Sequence, residues 1–566
     1  MSEAGERKAE RRVLLLAPAT TYRIADFLDA ARGLGIAVTV GSDHRQTLEA
    51  LSGGGTMTVD LSNRERGVAR IVEFDRDRPI AAIVAVDEEA TIVAAAASEA
   101  LGLPHNTPES VTATGNKLRM RSALGDAELA SPEFFAAAID DGYQAAMRRA
   151  TYPCVLKPLS LSASRGVIRA DDDAAFEAAF ARIAAILRST SGTRRGETTD
   201  CILIENYIPG AEVAVEALLV GGRLHMLALF DKPDPLEGPF FEETIYVTPS
   251  RLDDAVQEAI SETVARAAAA LGLRDGPVHA ELRLPPEEPV VIDIAARSIG
   301  GLCARTLKFG AGIALEELIL RHALGLPIET LERERLAAGV MMIPIPHAGV
   351  LRHIGGRDDA GAVPGIEEVT MTISLGHELV PLPEGNRYLG FIFARGETAS
   401  VVEQSLRQAH RQLHIVIDRA ADRYAGETGQ YQGPLVLGGV GLAAAEASRT
   451  VECAPVALLP LLGGQGFHRQ GVQILAKLFL EDAVDRLMAL NPRQPGELVG
   501  HDHQLEVGFR AGRHAVHGTF IDHVQMNRRQ SFGHLRLDRL LNSQCGFSRR
   551  ISGSASRDQP STTGSG

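Results

Sequence analysis

The sequence predicts a multidomain protein of mixed α/β and α+β class: a doubly wound N-terminal domain over residues 1–111, an α+β body over 112–330, a small C-terminal sheet domain over 331–420 and a poorly ordered tail over 421–566. Three observations carry this expectation. Short β-rich runs alternate with helical ones up to about residue 110, the pattern of a parallel sheet with helices on both faces. Separate runs of strands and helices follow, which point to an α+β layout. Beyond about residue 420 the periodicity weakens and the composition shifts to many arginines with one lysine, Lys477, before a Gly/Ser-rich end.

In the first domain, Val13-Leu14-Leu15-Leu16 reads as a buried strand, Ile24 to Leu34 as a helix, Ala37 to Val40 as a second strand and Ala81 to Val86 as a third, closed by Asp87-Glu88. The turn after the first strand, Ala17-Pro18-Ala19-Thr20, has no GxGxxG spacing, so a dinucleotide fingerprint is absent and NAD chemistry is disfavoured. The body shows a helix from Asn116, a strand ending in Lys157, strands through Glu205 to Glu216 and Leu224 to Asp231, and a long helix near Asp254 to Leu271. The third stretch ends in a helical segment, Val401 to Gln412.

At 566 residues with 45% apolar content the chain can build several sizeable cores. No apolar run reaches the roughly 18 residues needed to cross a bilayer, and the charged start is read as that of a cytosolic protein. Five scattered cysteines without CxxC spacing indicate neither a disulfide framework nor a zinc knuckle, and a net charge of -14 argues against nucleic acid as a partner. In the tail, His501-Asp502-His503 and His514-x-x-His517 invite a metal reading but fall on no clear helical or strand pattern; no metal site and no catalytic role are assigned there. Truncation after about Ala420 is expected to leave a soluble chain that keeps its function.

The chemistry concentrates on a hairpin. In His279-Ala280-Glu281-Leu282-Arg283-Leu284 successive side chains alternate faces, so Glu281 shares a face with His279 and Arg283, while Val278, Ala280, Leu282 and Leu284 form the apolar face. A Pro-rich connection leads to Val290-Val291-Ile292-Asp293-Ile294. Symmetric antiparallel closure pairs Leu284 with Val290 and sets Glu281 directly across from Asp293. Facing carboxylates repel unless a cation lies between them, and hard oxygen ligands suit magnesium carried with nucleotide phosphates; two solvated acids on an exposed sheet face are the alternative. Arg297 and Gly300-Gly301 add a cation and a glycine turn just beyond.

A second constellation handles anions. Cys154 to Pro158 delivers Lys157 at the end of a strand, followed by a loop of small residues through Gly166 that lets backbone amides approach an anion, with Ser160, Ser162, Ser164 and Arg165 adding donors; an ordinary surface turn is the alternative. No GxxxxGK[ST] occurs, so this is not a Walker loop. The strand Cys201 to Ile204 runs into Glu205-Asn206-Tyr207-Ile208, whose backbone could pair with an adenine edge. Glu212 and Glu216 share one strand face, with Glu212 placed to accept from ribose hydroxyls; an exposed strand face is the alternative.

In this order the features resemble the ATP-grasp superfamily, and more narrowly the carboxylate-amine ligases of the L-amino acid ligase type, over about residues 12 to 418. The resemblance implies ATP-grasp lobes that clamp ATP with magnesium, or manganese. Lys117 and Lys157 would hold phosphates, Ser160 to Gly166 would close over them, and Glu205, Asn206, Tyr207 and Ile208 would bind adenine. Glu212 would bind ribose, Glu281 and Asp293 the metal, Arg297 with Lys157 the transferring phosphoryl group, and Ser298, Gly300 and Gly301 the carboxylate substrate. The implied reaction joins a carboxylate, an amino acid above all, to an amine through an acyl phosphate, in a homodimer with small-molecule partners. An ATP-grasp carboxylase, a purine-pathway type ligase or a non-catalytic nucleotide-binding protein are the competing readings. One departure matters: the family's usual acid-x-Asn-x-Arg motif reads Asp293-Ile294-Ala295-Ala296-Arg297 here, and Ala295 offers a metal no oxygen.

Overall fold

The computed structural model describes residues 11–44, 52–191 and 197–419, together with the backbone of five short strands at 436–437, 440–442, 451–453, 505–511 and 514–520. Residues from Gly429 onward form a separate unit. Its strand His514–Phe520 pairs antiparallel with Leu505–Ala511, a correction to the absence of strand pattern expected there, because Gly518 and the histidines break up the alternation of apolar residues. His501, Asp502, His503 and the expected disorder of the end lie outside the described residues. No described helix is long and apolar enough to cross a membrane.

In the N-terminal domain, β1 (Arg12–Leu16), β2 (Ala37–Ser42), β3 (Thr56–Thr58) and β4 (Ala82–Ala85) form a parallel sheet in the order β3-β2-β1-β4. Alternation along β1 explains its continuous apolar run. Val13 and Leu15 face Phe27 and Ala31 of α1 (Ile24–Gly33), while Leu14 and Leu16 pack with Ile71 of α2 (Arg64–Asp77) and Val93 of α3 (Glu88–Leu101). The three-residue β3 was too short to be legible beside its glycines.

Two helices, α4 (Pro108–Thr114) and α5 (Lys117–Asp126), lead into the body. Asn116 caps α5, its side chain accepting from the Leu118 and Arg119 amides. A four-stranded lobe follows, ordered β5-β8-β6-β7 from β5 (Phe134–Ala138), β6 (Cys154–Pro158), β7 (Ile168–Ala170) and β8 (Cys201–Asn206). The helices α6 (Gln144–Arg149), α7 (Asp173–Ser191) and α8 (Glu197–Asp200) belong to it, and Phe176, Phe180 and Ile183 of α7 fill its core.

The main sheet is antiparallel. It takes β9 (Ala211–Val220), β10 (Arg223–Asp231), β11 (Ile245–Thr248), β12 (Gly276–Leu284) and β13 (Val290–Ala295) from the body. After a short β14–β15 hairpin (Lys308–Phe309 with Ile313–Ala314) it continues with β16 (Ala337–Ile343), β18 (Ile366–Met371) and β20 (Gly390–Gly396), in the order β13-β12-β9-β10-β11-β16-β20-β18. Three strands of the expected C-terminal sheet domain therefore extend the body sheet, joined where Tyr246 pairs with Val340. The remaining strands of that region, β17 (Gly349–Gly355), β19 (Glu378–Leu379) and β21 (His414–Asp418), make a small sheet of their own.

Val213, Val215, Val278, Ala280 and Leu282 turn one face of the main sheet onto α9 (Asp254–Ala270), where Ile260 and Val264 meet them. On the other face Ala214 and Leu218 join a core shared with α1 and with Leu318 and Ile319 of α10 (Leu315–Ala323), which packs the N-terminal domain against the body. The short helix α11 (Arg357–Gly361) precedes β18.

The hairpin keeps its key pair and loses its symmetry. Glu281 lies opposite Asp293, but a bulge at Ile292 then sets Leu282 against Val291 and Arg283 against Val290, which corrects the expected Leu284–Val290 pairing. The cause sits on the outer edge of β13. Buried Arg121 donates to the carbonyls of both Val291 (2.5 Å) and Ile292 (3.3 Å), and two successive carbonyls can turn to one guanidinium only where the strand is kinked.

Gly339 of β16 lets the last body helix, α12 (Ala399–Gln412), lie close on the sheet: an added Cβ would stand 2.8 Å from Val402 and 2.9 Å from the Tyr246 carbonyl. Gly339→Ala is expected to destabilise the protein by about 1–3 kcal/mol through overpacking, read from the urea midpoint at constant slope.

Candidate active site

A cleft of about 370 Å³ opens where the lobe, the main sheet, the N-terminal domain and the C-terminal region meet. Of the residues expected from sequence, Lys117, Lys157, Ser162, Ser164, Glu205, Asn206, Tyr207, Ile208, Glu212, Glu281, Asp293, Arg297, Gly300 and Gly301 line it. Ser160, Gly166 and Ser298 do not.

Lys157 emerges from β6 next to β8, and its ammonium pairs with the Glu205 carboxylate, which also accepts from Arg121 Nε at 2.9 Å. Burial alone would raise the Glu205 carboxyl; Arg121 and Lys157 outweigh it and bring the pKa down to about 2. Burial pulls the Lys157 ammonium below its ordinary value while Glu205 opposes that shift. The side chain of Glu205 is thus committed to two internal cations, leaving its backbone for a ligand. Arg121 was passed over in the sequence because it sits within a helical run.

Lys117 at the start of α5 donates to the Leu161 carbonyl at 3.0 Å and lies 3.5 Å from Asp293. The serine loop curls over this corner with Ala163 and Ser164 in the left-handed region (φ 55 and 53). Gly166 is held from outside: its amide donates to Pro383 O at 2.9 Å, and Arg165 Nε reaches Glu384 O at 2.8 Å. The Glu384 carboxylate in turn takes two bonds from Arg182.

Glu212 and Glu216 are buried, which removes the exposed-face alternative. Glu212, Glu243 and Glu281 bring carboxylate oxygens within 4.8 Å of one another, and Lys232 Nζ sits among them at 2.7, 2.5 and 3.3 Å. Glu212 also accepts from Arg283 Nε at 2.8 Å, and Tyr246 donates to Glu243 at 2.6 Å. Burial would raise Glu281, yet Lys232 and His279 hold it well below the usual carboxylate range. Burial, reinforced by Glu281, pushes Glu243 up to about 7. No role for Lys232 and Glu243 is legible in the sequence, because nothing in local spacing shows that a loop brings them back to β9 and β12.

Glu281 and Asp293 face different neighbours. The first lies beside Lys232 and His279 (3.3 and 3.6 Å), the second beside Lys117. As hard oxygen donors on paired residues lining one cleft they fit a divalent cation accompanying phosphates. Ala295, paired with His279, supplies only a methyl group. His279 lies between Glu216 (3.4 Å) and Glu281 (3.6 Å); burial would lower its pKa, but the two acids outweigh it and raise it.

Beyond β13 the chain is fixed by other elements. Arg297 Nε donates to Glu88 Oε2 at 2.9 Å, and Ile299 N donates to Glu216 Oε2 at 2.9 Å. Ser298 is buried off the cleft with its hydroxyl accepting from Arg23 at 2.7 Å, which corrects its expected place beside the substrate. Arg23, Asp87 and Glu88 of the N-terminal domain and Arg387 and Tyr388 of the C-terminal region complete the cleft. None had been assigned, since they come from distant parts of the sequence.

Comparison with known families matches residues 150–306 to the ATP-grasp domain, residues 28–105 to the ATP-grasp N-terminal domain and residues 341–418 to the L-amino acid ligase C-terminal domain 2. The chain is an ATP-grasp protein of the L-amino acid ligase type. Among relatives of this ATP-grasp chain, the alanine–anticapsin ligase of Bacillus subtilis is 27% identical over 241 residues, covering 40% of this chain and 50% of the relative. The chain thus spans about half the length of that curated relative. The crystal structure of an L-amino acid ligase from Bacillus licheniformis superposes with a TM-score of 0.62 at 26% identity, covering 73% of this chain and 100% of that one. Phosphoribosylglycinamide synthetase from Anaerococcus prevotii shares the fold at a TM-score of 0.52 and 16% identity, covering 72% of this chain and 100% of its own.

In this ATP-grasp protein Glu205 carries a pH signature. Its folded pKa of about 2 lies below the ordinary 4.5, so its stabilisation is complete above about pH 4.5 and is lost as the pH falls towards about 2. Glu205→Gln, which leaves Lys157 and Arg121 without their counter-charge, is expected to cost about 3 kcal/mol at neutral pH and to flatten that acid limb in denaturant unfolding.

Proposed function

We propose that this ATP-grasp protein is an ATP-dependent carboxylate-amine ligase that joins an amino acid to an amine through an acyl phosphate and releases ADP and phosphate. The observation that carries this reading is the convergence of Lys117, Lys157, Glu281, Asp293 and Arg297, from five separate elements or loops, on one cleft. A carboxylate is a poor acyl donor because its leaving group would be oxide, and phosphorylation supplies a workable one. The residues here do the positioning and charge neutralisation that phosphoryl transfer requires.

Lys157 and Lys117 hold the phosphates, with Ser162 and Ser164 of the overlying loop adding donors. The backbone of Glu205 to Ile208 meets adenine, and Glu212, fixed by Lys232 and Arg283, is aligned for ribose. Glu281 and Asp293 hold magnesium, with manganese as a substitute, and the metal's role when bound is to draw charge from the phosphate oxygens. Arg297 meets the phosphoryl group during transfer and the acyl phosphate afterwards, while Gly300 and Gly301 admit the substrate carboxylate. The amine then attacks the acyl carbon and phosphate leaves. The overlying serine loop keeps water from competing. A homodimer and a cytoplasmic location, where ATP and free amino acids meet, belong to the same proposal.

ADP release by the purified full-length chain is expected to require an amino acid and an amine together; release that needs bicarbonate instead would overturn the reading. Glu281→Ala and Arg297→Ala are each expected to lower kcat by roughly 100-fold or more with circular dichroism unchanged. Turnover retained in either variant would remove that residue from its role.

A further inference from the structure

Arg297 is held by the N-terminal domain. Its partner Glu88 lies 209 positions earlier in the chain and is the first residue of α3, where the helix dipole favours an anion. Both side chains are largely buried, at 14% and 18% exposure, so the pair is little screened by water. The second bond of Arg297 runs from Nη1 to the Ser298 carbonyl at 2.9 Å. Among the described residues, Nε and Nη1 are the Arg297 atoms committed to the protein, which leaves Nη2 for the cleft. The same end of α3 holds the next residue too. Arg23 pairs with Asp87 at 3.3 Å and donates to the Ser298 hydroxyl at 2.7 Å. Two neighbouring acids before and at the start of one helix thus fix two neighbouring residues beyond β13.

We infer that Glu88 is a positioning residue for phosphoryl transfer: it fixes Nε of Arg297 so that Nη2 meets the transferring group. The N-terminal domain is then a working part of the transfer site as well as a wall of the substrate cavity. An arginine without this partner keeps its charge but spreads over several rotamers, and has to be ordered at the moment of reaction. Loss of Glu88 therefore weakens the hold on the group in flight and leaves the hold on the resting nucleotide as it was. The inference rests on the ligase reading given above.

The test uses the full-length protein with magnesium and ADP, with and without aluminium fluoride as the mimic of the phosphoryl group in flight, and calorimetric affinities as the readout. The native chain is expected to bind ADP more tightly when aluminium fluoride is present. Glu88→Gln, which keeps the shape of the side chain, and Glu88→Ala are expected to weaken the aluminium fluoride complex roughly 10- to 100-fold while changing the affinity for ADP alone by less than about twofold. In an Arg297→Ala background, Glu88→Gln adds no further loss. An aluminium fluoride complex unaffected by either variant, or an equal loss for ADP alone, would overturn the inference and leave the ligase reading standing. A native chain that gains no affinity from aluminium fluoride would bring down both.

Discussion

Carboxylates packed at neighbouring strand positions repel, and the cleft exists because cations are built in beside each of them. Glu205 is answered by Arg121 and Lys157, Glu212 by Lys232 and Arg283, Glu281 by Lys232 and His279, and Asp293 by Lys117. These pairs are mostly buried, where an uncompensated charge costs several kcal/mol, so removal of one partner is felt by the other. The network also sets the chemistry. It keeps Glu281 anionic in an interior that would otherwise protonate it, and sets the Lys157 ammonium against Glu205 at the wall of the cleft.

Much of this was legible in the sequence where the information is local. Alternation placed Glu281 with His279 and Arg283 on one face, and β12 keeps Val278, Ala280 and Leu282 on the other, fully buried. Short apolar runs separated by helices specified the parallel sheet. What alternation could not supply was the bulge at Ile292, because it depends on an arginine some 170 positions away. Glu243, Lys232, Glu88 and Arg23 were missed for the same reason: each reaches the cleft through tertiary packing, and no spacing rule links positions so far apart. Ser298 stood beside the right residues in sequence and turned inward, because Arg23 offers its hydroxyl a partner in the core.

Ala295 marks where this chain departs from the pattern it resembles. Its side chain faces the cleft from β13 opposite His279, with no oxygen for a cation. Around it Lys232 rests among three carboxylates and His279 between two.

The continuous main sheet has a consequence for how the chain can be divided. A cut near residue 330 would strip β16 from β11 and leave Ile245 to Thr248 as a bare edge, with apolar Ile245 and Val247 no longer covered. Neither fragment would be a self-sufficient folding piece. Exchange of modules between relatives would have to respect that seam, so the part of the chain that follows β13 is bound to inherit together with the part that lines the cleft.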